Sequence, residues 1–141
     1  MSARATGLAA AAVTWIMRDQ LHTTVEICNH MSMNDQYAES EPTRAEVDAL
    51  GGPTLVEFGT PWCGHCRAVQ PLLSAAIAER PRVRHIKIND GSGQPLGRSF
   101  AVKLWPTLVF MRDGKIVARL VRPRDPAAIR EALAQIDSAS D

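Results

Sequence analysis

From residue 43 onward the apolar positions fall into short runs that switch between two periods. Thr54-Leu55-Val56-Glu57-Phe58 is almost continuously apolar, as in a strand covered on both faces, with one acid inside it. Residues 64–80 change to helical spacing, with Val69, Leu72, Leu73, Ala76 and Ile77 along one stripe. Pro71 sits inside that stripe, removes one backbone donor and predicts a kink. Pro81 ends the helix. Val83 to Ile88 reads as a second strand, Asn89 to Gln94 as a glycine-rich loop, and Leu96 to Val102 as a short helix. Thr107 to Met111 is a third strand, Asp113-Gly114 a hairpin turn, and Ile116 to Val121 the returning strand. Asp125-Pro126 opens a last helix bearing Ile129, Leu133 and Ile136. Ahead of all this, Thr43-Arg44-Ala45-Glu46 has the form of a capping box, and Gly51-Gly52 stops the short helix behind it.

The core order is β-α-β-α-β-β-α. Two parallel strands joined by a helix, then a hairpin and a closing helix, predict an α/β fold with a central mixed sheet flanked by helices. This places a domain at residues 43–141 and an extension at residues 1–42. The extension holds an apolar stretch, Ala5 to Met17, preceded by Arg4 and followed by Arg18-Asp19. Four readings stay open for it: a packed helix, a disordered tail, a weak targeting segment, and a start-site artefact, since Met31 and Met33 could each begin a shorter chain. On any of them residues 1–33 are expected to be dispensable for activity. Residues 34–42 are polar and read as a linker.

Composition removes several function classes. The 141 residues carry 16 Lys+Arg against 15 Asp+Glu, which speaks against phosphate-driven nucleic-acid binding. No apolar run reaches the roughly 20 residues needed to span a bilayer. The glycine-rich loop lacks the Gly-Lys-Ser/Thr of a phosphate cradle. Three cysteines are too few for a disulfide scaffold.

Two of those cysteines carry the chemistry. Trp62-Cys63-Gly64-His65-Cys66 lies between the first strand and the long helix. A cysteine at a helix start faces unpaired amides and the positive end of the helix dipole, which favour a thiolate, the nucleophile that attacks disulfides. Cys66 follows nearly one turn later, close enough to pair with Cys63 or to resolve a mixed disulfide. His65 between them can add positive charge. Inert core residues or half of a zinc site would show the same spacing, but the strand-to-helix junction favours redox chemistry. Cys28-Asn29-His30 could complete a zinc set with the pair, although the fold-back this requires has no support in the pattern.

With these residues in place, the chain resembles the thioredoxin superfamily over about residues 43–137. Pro61-Trp62-Cys63-Gly64-His65-Cys66 looks most like the catalytic domains of protein disulfide isomerases, and the remainder like a compact thioredoxin. The resemblance implies a protein-disulfide oxidoreductase with Cys63 and Cys66 as the catalytic dithiol and Glu57 as proton acceptor for Cys66. Lys87 matches the lysine near that acid, Pro71 the kink proline and Gly114 the hairpin glycine. Trp105-Pro106-Thr107 matches the cis-proline loop, whose backbone pairs with substrate. Trp62, Gly64, His65 and Pro106 support the site, and Trp62, Trp105 and Pro106 contact substrate. Trp105 stands where a smaller residue is usual, and Arg122 where a glycine is common. The resemblance further implies no organic cofactor or metal, disulfide-bearing protein substrates, a recycling reductase, a monomer and a cytoplasmic site. Oxidase or isomerase work in an exported compartment, and a binding module whose cysteines do not turn over, are the rival readings.

Overall fold

The computed structural model describes residues 36–138. Its elements are α1 (Arg44–Asp48), β1 (Pro53–Gly59), α2 (Gly64–Ala78), β2 (Arg84–Asn89), α3 (Pro95–Ser99), β3 (Thr107–Arg112), β4 (Lys115–Val121) and α4 (Pro126–Ile136). The order matches the pattern of the sequence, with ends that move by one to three residues. The clearest shift is α3, which opens at Pro95, a residue preset for a first helical turn, and closes by Ser99. The capping box at Thr43 forms in both directions: the hydroxyl accepts from the Glu46 amide, and the Glu46 carboxylate accepts from the Thr43 amide, each at 3.1 Å.

The sheet runs β2-β1-β3-β4. β1 pairs parallel with β2 and antiparallel with β3, so it sits inside the sheet. This explains its near-continuous apolar run. Leu55 faces a core made with Val69, Leu73, Phe110 and Leu133, while Val56 and Phe58 face a second core with Val47, Phe100 and Met111. Each such side chain contributes roughly 1.5–3 kcal/mol on burial. β4 lies at the edge and is largely exposed, which fits its mixed composition. Gly114 turns the hairpin at φ +80°, and a Cβ there would run into the Asp48 carbonyl.

Residues 36–42, which composition reads as linker, make contacts with the domain. The Ala38 amide donates to the Lys87 carbonyl at 2.8 Å, and the Glu41 carboxylate accepts from the Leu96 amide at 2.8 Å. Tyr37 and Ala38 supply the apolar surface that makes this docking favourable. The expectations for residues 1–33, including Cys28 and His30, lie outside the described residues. No helix among the described residues is long and apolar enough to cross a membrane.

Candidate functional site

Cys63 is the N-cap of α2. Its backbone is extended (φ −83°, ψ 119°), which turns Sγ back over the helix start, where it accepts from the Cys66 amide at 3.3 Å. That amide and the positive end of the helix dipole both meet Sγ. Cys66 lies on the buried face of the first turn, 2% exposed against 9% for Cys63, and both thiols are free. Gly64 and His65 between them are exposed. Burial first, and then the hydrogen bond with Cys63, pushes the Cys66 thiol up to about 12. Cys66 therefore stays protonated at neutral pH and needs a base before it can attack.

The strand beneath holds a carboxylate. Gly59 and Glu57 share a face of β1. Gly59 lets the helix close down: a Cβ at that position would come within 2.6 Å of the Cys66 Sγ. Glu57 is fully buried, at 0% exposure. Its Oε2 accepts from Gln70 Nε2 at 2.7 Å, and its Oε1 lies 2.9 Å from His85 Nε2. Gln70 Nε2 also donates to the Cys66 carbonyl at 3.1 Å, and Gln70 Oε1 accepts from Lys87 Nζ at 3.2 Å. Lys87 thus joins the acid through Gln70. Its ammonium stands 4.7 Å over the ring of Tyr37, and the Tyr37 phenol is held above its ordinary range by burial, then by Cys66, Glu57 and Cys63.

On the other side of Cys63 lies the Trp105–Pro106 loop, whose peptide is cis and whose proline is buried. The Trp105 carbonyl oxygen is 4.0 Å from Cys63 Sγ. That oxygen accepts from Arg122 Nε at 2.9 Å, and the Arg122 amide donates to the Pro106 carbonyl at 2.9 Å. Arg122 does this from a left-handed backbone, φ 50°. The Trp105 indole N–H donates to buried Asp90 Oδ2 at 2.9 Å. Its ring meets Trp62 edge to face, with centroids 5.5 Å apart. Trp62 is 68% exposed, so this pair forms an apolar shelf at the rim of the cysteine site.

The structure therefore brings together Cys63, Cys66, Glu57, Lys87, Trp62, Trp105 and Pro106. It adds Gln70, His85, Tyr37 and Asp90, which pattern reading missed. Two signals were available. The strand Arg84-His85-Ile86-Lys87-Ile88-Asn89 alternates, which puts His85 on the same face as Lys87. Gln70 stands four residues after Cys66, on the same helix face.

A free thiol at a helix start, a second thiol one turn on and a buried acid beneath it, all on this sheet, define a thiol–disulfide oxidoreductase. The comparisons agree. The family model described as Thioredoxin matches residues 36–135. Thioredoxin of Chlamydia trachomatis is 36% identical over 74 residues, covering 52% of this chain and 72% of that protein. Protein disulfide-isomerase of Gallus gallus is 39% identical over 82 residues, covering 55% of this chain and 15% of that protein. The solved structure of thioredoxin 2 from Pseudomonas aeruginosa PAO1 in its reduced form superimposes with a TM-score of 0.66 at 55% identity, covering 74% of this chain and 96% of that one. The chain belongs to the thioredoxin family.

Proposed function

We propose that this protein reduces protein disulfides in the cytoplasm, with Cys63 as nucleophile and Cys66 as resolving thiol, and is recharged by a reductase of the thioredoxin-reductase kind. The Cys63 thiolate attacks one sulfur of a substrate disulfide, the substrate S–S bond breaks, and the other substrate sulfur leaves as a thiolate. Cys66 then gives its proton to Glu57 and attacks Cys63 Sγ. The mixed disulfide breaks, the second substrate thiolate leaves, and a Cys63–Cys66 disulfide remains. Two electrons pass from the dithiol to the substrate disulfide.

The observation that carries this reading is the difference between the two thiols: Cys63 caps the helix and is the more exposed of the two, while Cys66 lies deeper, against Gly59, and is held protonated. Trp62, Trp105 and Pro106 are the surface on which a substrate chain would lie, and a reducing compartment suits this direction of flow. The test is insulin reduction with a regenerating reductant. Turnover is expected in the native chain and loss of turnover in Cys63→Ser. A native chain that binds protein disulfides and does not turn over would contradict the proposal and favour a binding module.

A further inference from the structure

Glu57 is not alone at the bottom of the site. His85 on β2 presents Nε2 to Glu57 Oε1 at 2.9 Å, and both side chains are wholly buried, at 0% exposure. The parallel register explains the meeting. Leu55 pairs with His85 and Glu57 with Lys87, so His85 and Lys87 stand on the same sheet face as Glu57, next to it along the neighbouring strand. Among the described residues, the charged and titratable groups facing Glu57 are His85 and Lys87 from β2, Cys66 from the first turn of α2, and Tyr37 from the segment before α1. β3 offers Leu108 opposite Glu57, and α4 covers the same side with Ile129, Leu133 and Ile136. A carboxylate taken this far from water is costly unless its oxygens are hydrogen-bonded. Gln70 serves one oxygen, and among the described residues His85 serves the other.

We propose that His85 is a positioning residue of the resolving step: its Nε2–H holds Glu57 Oε1, keeping the buried carboxylate aimed so that it can take the Cys66 proton. This rests on the assignment of Glu57 and Cys66 given above. The proton passes from Cys66 Sγ to a free lone pair of the Glu57 carboxylate. The electron pair left on Sγ makes the bond to Cys63, and the sulfur of the substrate leaves. His85 donates to the same oxygen before and after the transfer and neither gains nor loses a proton. Without the donor Glu57 is no longer aimed at the thiol, and Cys66, raised to about 12, must lose its proton unaided, which alkaline solution favours.

The test separates the two chemical steps by stopped flow, following Cys63 attack on a disulfide substrate and then release of the mixed disulfide, from pH 6 to 9. His85→Leu is expected to leave the first step within about 2-fold and to slow the second by on the order of 10-fold at neutral pH, less than the roughly 100-fold or more of losing a general base outright, because Glu57 itself remains. The pH profile of the second step should move to higher pH. His85→Gln, which keeps a donor, should return the rate and the profile toward those of the native chain. Glu57→Gln run in parallel tests the underlying reading, and adding His85→Leu to it should slow the second step no further. If Glu57→Gln leaves that step intact, the assignment of the base fails. If Glu57→Gln slows it while His85→Leu leaves its rate and profile native, the role of His85 alone is overturned. Should the leucine variant not fold, nitrogen NMR of the His85 ring in the reduced native chain decides. Nε2 must carry the proton at neutral pH, and a bare Nε2 refutes the proposal.

Discussion

Replacing Gly59 with alanine puts the smallest possible side chain where the structure has no room for it. The new Cβ would lie 2.6 Å from Cys66 Sγ and 3.5 Å from Cys66 Cβ. An ordinary carbon–sulfur contact is about 1 Å longer than the first of these, on the scale of optimal non-bonded separations. The Gly59 backbone is not left-handed, so the substitution strains nothing but this contact. Cys66 has one rotatable side-chain bond and lies on the buried face of the first helical turn. It must rotate away from its position beside Glu57, or the start of α2 must lift. Overpacking of this kind costs about 1–3 kcal/mol. At roughly 4–8 °C per kcal/mol for a domain of this size, the melting temperature should fall by at least about 4 °C. A displacement near 1 Å at a reacting atom costs up to about 100-fold in rate. The cost should fall on the step in which Cys66 attacks. Stopped-flow tryptophan fluorescence, reporting through Trp62 and Trp105, is expected to show normal Cys63 attack followed by accumulation of the mixed disulfide. A variant with native melting temperature and native resolution rate would refute the claim that Gly59 exists to seat Cys66.

Two further consequences follow from the same contacts. The buried Cys66 thiol is raised from 9.0 to about 12, so the native reduced protein keeps a proton there that the unfolded chain has released. Its contribution is fully present below pH 9 and is lost as pH climbs toward 12, by up to roughly 4 kcal/mol. Urea unfolding from pH 7 to 10.5 should show the reduced form losing stability relative to the oxidised form, in which Cys66 has no thiol to ionise; parallel curves would contradict this. Arg122→Gly removes a left-handed arginine and uncovers the Trp105 carbonyl. Relief of about 1–2 kcal/mol of backbone strain is offset by glycine entropy and by a lost hydrogen bond. Stability should therefore change little, while KM for a protein disulfide falls. An unchanged KM would mean that substrate does not use that carbonyl.

The parts of the site that lie close together in the chain were legible without a structure. The Cys63–Cys66 spacing, the strand-to-helix junction, the capping box at Thr43 and the Asp113-Gly114 turn are all local, each set by a few neighbouring residues. Glu57 was legible because an acid in an apolar strand stands out from its neighbours. His85 was not. In an alternating strand it resembles any half-buried polar position, and only the parallel register of β1 with β2 brings it to Glu57. Gln70 shares a helix face with Cys66, but its contact with Glu57 depends on how closely α2 docks on the sheet, which Gly59 controls. The bond between Asp90 and Trp105 spans loops whose approach has no periodic signal. The polar reading of residues 34–42 missed the docking of Tyr37 beside Lys87, because composition reports average polarity and not where one aromatic ring lands.

The division of labour between the two cysteines is the centre of the account, and trapping tests it most directly. Cys66→Ser and Cys63→Ser, each incubated with a protein disulfide and resolved without reductant, should differ completely. The first should hold substrate in a stable mixed disulfide through Cys63, and the second should hold none. Trapping through Cys66 in the Cys63→Ser variant, or equal trapping by both, would contradict it.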